Sequence, residues 1–183
     1  MHQFRGGPAL SDFRIRILLD KLRNTWPEIA GLDTRFLYFV DSDGALGSAD
    51  QNLLERLLND GAAPTATPTG VLLLVVPRVG TLSPWASKAT DIARNCGLKK
   101  VRRVERGVAY YLRGETGAPD ATSLASLAPA LHDRMTQTVL HHPDEAARLF
   151  AQSKPAPLQT VDVLGGGREA LVRADREYGF ALS

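Results

Sequence analysis

Val71-Leu-Leu-Leu-Val-Val76 passes through Pro77 into Arg78-Val-Gly-Thr-Leu-Ser-Pro-Trp-Ala-Ser-Lys-Ala-Thr-Asp-Ile92. Six consecutive apolar residues, half of them valine, predict a strand covered on both faces. Gly80 marks a tight turn, and Ser83-Pro84 opens a helix: serine can cap the free amides, and proline at the first position gives up no hydrogen bond. Helical spacing places Trp85, Ala89, Ile92, Ala93 and Cys96 on one apolar face, with Gly97 as the stop. On that face Cys96 is expected to be a buried, unreactive thiol. Strand, turn and helix in this order set the class as α/β, and the flanking sequence repeats the pattern.

Before this stretch, Phe4 suggests a short first strand, followed by a turn at Gly6-Gly7-Pro8. Ser11 caps a helix carrying Ile15, Leu18, Leu19, Leu22 and Trp26, and Pro27 helps end it. Arg35–Val40 reads as a strand and Asp41-Ser-Asp-Gly44 as its turn. Ser48-Ala-Asp-Gln51 has the form of a capping box, opening a helix with Leu53, Leu54, Leu57 and Leu58 buried. Gly61 is expected to close it, with a loop over Ala62–Gly70. After the opening stretch, Val101–Glu105 and Val108–Leu112 predict two strands joined at Arg106-Gly107. A helix with Leu124, Leu127, Ala128, Leu131 and Met135 follows, expected to begin near Ser126 so that Pro129 falls in its first turn. Met135–Leu140 returns as a last strand.

The sum is an α/β (α+β) domain with a mixed, largely antiparallel sheet and its helices layered on one face. The order divides into two βα-rich halves, with no residue-level repeat visible. Residues 1–142 are assigned to the domain. Pro143, Pro155 and Pro157 bracket a short helical stretch at Asp144–Gln152, and residues 143–183 read as the start of a linker. Within it Gly165-Gly-Gly167 is a hinge before a helix, since no strand–G-x-G-x-x-G–helix context surrounds it.

Composition narrows the function. At 44% hydrophobic and 23% charged over 183 residues, the chain can bury a real core. A net charge of +2 argues for neither nucleic acid nor an anionic membrane as partner. One cysteine excludes an internal disulfide and makes a reducing, cytoplasmic location the expectation. No run reaches the length of a membrane span, and Met1-His-Gln-Phe-Arg5 is no signal peptide. His132-Asp133 and His141-His142 lack partners at zinc-like spacing, so they read as surface or capping groups, and no metal site is expected. Lys99-Lys100, Arg102-Arg103 and Arg106 read as a solvated strand edge.

Gly80-Thr-Leu-Ser-Pro-Trp-Ala-Ser-Lys-Ala-Thr-Asp-Ile92 resembles a signature of phosphoribosylformylglycinamidine synthase of the long single-chain type, the glutamine-dependent enzyme of purine biosynthesis. Asn95-Cys-Gly97, Val104-Glu-Arg-Gly-Val-Ala-Tyr-Tyr111, Phe4-Arg-Gly-Gly-Pro-Ala-Leu-Ser11, Leu131-His-Asp-Arg-Met135 and Val161-Asp162 extend the resemblance over the whole chain. Ala86 departs from it, standing where that family has serine.

The resemblance implies an N-terminal piece of a much longer enzyme, similar to a dimer of the small separate subunit of multi-subunit versions. It implies a scaffold that holds the synthetase and glutaminase domains of the same chain and helps enclose the ammonia route. The parent would use ATP and magnesium to make formylglycinamidine ribonucleotide. This piece would hold no cofactor and no catalytic residue, and would be inactive alone. A free-standing module that binds a phosphorylated small molecule at the Ser83 helix start is the alternative. Arg78, Thr81, Ser83, Ser87 and Lys88 are accordingly the candidate contacts, either for a substrate phosphate or for a neighbouring domain.

Overall fold

Alternation of apolar side chains builds a five-stranded sheet in the computed structural model, which describes residues 1–59, 68–151 and 156–182. In chain order the elements are β1 (His2–Arg5), α1 (Asp12–Arg23), β2 (Ile29–Ser42), α2 (Ser48–Leu58), β3 (Val71–Pro77), α3 (Pro84–Asn95), β4 (Val101–Gly114), α4 (Ala121–Leu131) and β5 (Gln137–Leu140). A 3-10 segment, Pro143–Phe150, and α5 (Val163–Tyr178) follow. Strands lie in the order β1-β2-β4-β3-β5, and each neighbouring pair is antiparallel. The fold is therefore α+β, as the sequence predicts.

Strand periodicity sorts the core. Leu32, Tyr38, Val40, Leu73, Val75, Val104, Tyr110 and Leu112 face the helices. There α1 and α4 cover one end with Leu22, Trp26, Leu127 and Leu131, while α2 and α3 cover the other with Leu54 and Ala93. The alternate residues Leu37, Phe39, Leu74, Val76 and Ala109 point to the opposite face, where Ala146 and Leu149 of the 3-10 segment pack on them. β3 is thus covered on both sides, as its unbroken apolar run predicts. Met1–Gln152 forms one compact unit and Ser153–Ser183 a second. The 3-10 segment, read from sequence as linker, contributes to the core of the first.

Several boundaries differ from expectation. β4 is one strand of 14 residues, with no turn at Arg106-Gly107. Gly107 serves close packing: an added Cβ would lie 3.0 Å from the Val75 carbonyl oxygen and from side-chain carbons of Leu74 and Val76. β2 likewise begins at Ile29, well before Arg35, because its ladder with β4 continues to Gly114. Gly47, not Ser48, caps α2, and the Gln51 side chain donates through Nε2 to the Leu46 carbonyl, so no capping box forms. Leu57 is partly exposed, while Leu54 is the buried residue of that helix. The expected stop at Gly61 lies outside the described residues. Asp120 caps α4, which therefore starts before Ser126 and places Pro129 in its last turn. In the second unit Asp162 caps α5, and Gly167, at φ +53, breaks the helix as a hinge.

The chain also contains a repeat that residue identities conceal. α1 and α3 each have 12 residues, β2 and β4 each have 14, and α2 and α4 each have 11. Residue 12 corresponds to 84 and residue 29 to 101, a shift of 72 that also superposes Leu10-Ser11 on Leu82-Ser83. Phe36 pairs with Val108 in the β2–β4 ladder, and Val108 is also the residue 72 positions on from Phe36. A residue that is both partner and counterpart lies on a twofold axis. The two halves are therefore related by an approximate twofold perpendicular to the sheet, passing between Phe36 and Val108.

Candidate functional site

Ser83 caps α3 as its sequence context predicts: its Oγ accepts from the Ala86 amide at 3.0 Å. Pro84 occupies the first turn. At the other end Gly97 adopts φ +96, and the Leu98 amide closes on the Ala93 carbonyl at 3.1 Å, the glycine-terminated stop expected there. The buried face, however, is Ala86, Thr90 and Ala93. At about 100° per residue, Ile92 and Cys96 sit well to one side of that face. Ile92 is 50% exposed and Cys96 is exposed, so the expectation of a buried thiol is corrected. Thr90 takes the central place instead, donating to the Ala86 carbonyl and accepting from the Val104 amide at 3.0 Å, which fastens α3 to β4.

The quoted motifs converge. The Ser83 hydroxyl also donates to Oε2 of Glu105, a carboxylate with no exposed surface, at 3.2 Å. Arg103 Nε donates to Glu105 Oε1 at 2.8 Å, and its Nη2 contacts the same oxygen and the Thr81 carbonyl. The Arg103 guanidinium lies 5.7 Å from the centroid of the Phe150 ring. A buried carboxylate is tolerable only when its lone pairs are used in this way. Arg103 and Glu105, read from sequence within a solvated edge and its strand, form the bolt between the Arg78–Ser83 turn and β4.

One residue on, Arg106 points to the helical face. Its guanidinium carbon is 4.5 Å from the Phe36 ring centroid and 4.6 Å from that of Trp85, and Trp85 in turn stacks on Tyr38 at 5.8 Å. Phe36, Trp85 and Arg106 line a cleft of about 450 Å³ on the second half's side of the twofold axis. Val75, Val108, Leu82, Ser83 and Pro84 line it with Arg78, Thr81, Met135, Thr136 and Gln137. The Asp133 turn shapes the far wall: its carboxylate accepts from the Met135 amide and the Thr136 hydroxyl, which hold it below the usual carboxylate range.

Of the five residues singled out from sequence, Arg78, Thr81 and Ser83 meet at this cleft. Arg78 donates to the Met135 carbonyl and Thr81 to the Arg78 carbonyl, so the turn is internally tied. Ser87 is exposed on α3. Lys88 lies apart, edging a second, apolar groove of about 270 Å³ with Leu54, Leu57 and Ile92. The histidines serve local structure: His132 Nδ1 lies 2.6 Å from the Ala128 carbonyl oxygen, and His142 accepts from the Asp144 amide. Arg106 and Phe36 were missed. The available signal was a charged pair, Glu105-Arg106, between Val104 and Val108, which marks opposite faces of a strand better than it marks a turn.

Four carriers of the resemblance thus act in two groups: Ser83 and Glu105 join the turn to β4 with Arg103, and Trp85 and Arg106 join α3 to β4 on the other face. The profile of the formylglycinamide ribonucleotide amidotransferase N-terminal family matches residues 35–150, more than half of the 183-residue chain, and the chain belongs to that family.

Proposed function

We propose that this domain is a scaffold of the ATP- and glutamine-dependent amidotransferase that converts formylglycinamide ribonucleotide to formylglycinamidine ribonucleotide. In this reading it holds the synthetase and glutaminase domains in register and helps enclose the path of ammonia between them. The observation that carries it is how the family's motif residues are used. Ser83 and Glu105 are tied to each other and to Arg103, and Thr90 to β4, so the motif maintains shape rather than presenting a nucleophile. ATP and magnesium belong, on this reading, to the synthetase domain, and the isolated chain turns over nothing.

The test removes the domain from the parent enzyme and follows two activities. A scaffold that couples sites should, when deleted, lower glutamine-dependent synthesis far more than synthesis from added ammonia. Equal loss of both, with the remaining protein folded, sinks the coupling role. Incubating the isolated chain with ATP, magnesium, glutamine and formylglycinamide ribonucleotide should release neither product nor glutamate above a blank.

A further inference from the structure

We propose that the cleft beside Arg106 is a binding site for a small-molecule oxyanion, a phosphate ester or a carboxylate, with Arg106 as its principal ligand. Arg106 is half-buried and lies over two aromatic rings, yet makes no hydrogen bond or ion pair among the described residues. Ring contacts satisfy the faces of a guanidinium and leave its in-plane N–H donors available, and those donors match the geometry of an oxyanion. Clamping by Phe36 and Trp85 also removes much of the side-chain entropy that binding would otherwise cost. Among the described residues no carboxylate lines the cleft, whereas Arg78 adds a second cation, and Thr81, Thr136 and Gln137 add polar groups. Val75, Val108 and Met135 offer an apolar surface for the rest of the ligand. At about 450 Å³ the space suits a small metabolite.

The repeat supplies an internal control. The counterpart of Arg106 is Thr34, fully buried, whose hydroxyl accepts from the Leu10 amide at 3.1 Å. The counterpart of Arg78 is Gly6, which donates its amide to the Phe36 carbonyl. One half of the molecule builds the same strand, turn and helix with no cation at either position. The arginines are therefore additions to the fold, not requirements of it, and both line one cleft. The helix start at Ser83 carries no part of the argument, since its cap is satisfied from within. The inference is also independent of the scaffold reading, because the isolated chain contains every residue concerned.

The experiment is a titration of the 183-residue chain with inorganic phosphate, ribose 5-phosphate and acetate in turn, at constant ionic strength held with chloride. Amide and indole N–H resonances report the result: Trp85 lines the cleft, while Trp26 sits in the α1–α4 core. At least one of the three oxyanions should give a saturable shift of the Trp85 indole and of the Arg78–Trp85 amides. Phosphates alone would mark the ligand as a phosphate ester, and acetate alone as a carboxylate. Arg106→Gln should raise the half-saturating concentration by about tenfold, the loss of one charge-assisted contact. Arg78→Gln, on an exposed side chain that leaves the core intact, should raise it by a smaller factor, and Lys88→Gln should leave it unchanged. Absence of a saturable shift with all three at millimolar concentration overturns the proposal. So does saturation that is as tight in the two arginine variants, their spectra otherwise native, as in the parent.

Discussion

Glu105 shows what a single residue contributes when water is excluded. Its carboxylate is fully buried and engaged by Arg103 and the Ser83 hydroxyl. Glu105→Gln leaves Arg103 without its counter-charge and should lower stability by about 3 kcal/mol, measured by urea unfolding. Arg102→Gln makes the contrast: its pair with Asp41 is open to water on the arginine side, and the loss should be much smaller. A similar cost for both would mean that the buried pair has no special weight. Cys96 offers a second check, because exposure at the end of α3 should let a thiol reagent label the native protein nearly as fast as the unfolded one. Labelling that lags far behind in native conditions contradicts the helix orientation described above.

Among the elements, the Asp133 turn between α4 and β5 shapes the cleft wall through two accepted hydrogen bonds. Those bonds favour the ionised form, so the folded pKa is depressed below the ordinary 3.8. The sign follows directly: the turn's contribution is complete above the ordinary value and is lost as pH falls through the depressed one. The Met135 and Thr136 amide resonances should therefore titrate with a midpoint below 3.8, and Asp133→Asn should abolish that titration. A midpoint at or above the ordinary value would show that the bonds are not kept in solution.

Elements were legible from sequence where apolar spacing and caps agreed, as at Ser11, Ser83 and the Val71–Val76 run. They were misjudged where local chemistry competed with long-range pairing. Arg106-Gly107 has the composition of a turn, but pairing with Tyr38 and Leu37 of β2 carries the strand through it. Cys96 was misplaced for a related reason: tertiary packing buried Ala86, Thr90 and Ala93 and left Ile92, on the neighbouring apolar face, at the edge of an open groove. Of the candidate contacts, Arg78, Thr81 and Ser83 line the cleft, while Ser87 and Lys88 do not. Arg106 was hidden because no pattern along one strand reports a ring supplied by another.

At the scale of the whole molecule, the repeat turns chemically equal residues into unequal ones. Ser11 and Ser83 cap helices of the same length, but the Arg14 amide is 3.5 Å from Ser11 Oγ, against 3.0 Å for Ala86 and Ser83. Ser83 also serves Glu105. Ser83→Ala should cost toward the upper end of the roughly 0.5–2 kcal/mol span for capping residues, and Ser11→Ala toward the lower. Parallel thermal melts of the two variants would decide it, and a larger loss for Ser11→Ala would refute the assignment of the bolt.

The axis between Phe36 and Val108 has a consequence for how the chain tolerates change. Away from it, the two copies of any position are far apart and can vary separately. On it, the copies touch, so a substitution in one half alters the surroundings of its own counterpart in the other. Phe36→Leu and Val108→Ala should therefore combine non-additively, with a coupling of about 0.5 kcal/mol or more, whereas Ser11→Ala and Ser83→Ala should simply add. Drift can separate the halves everywhere except along that line, where they remain answerable to each other.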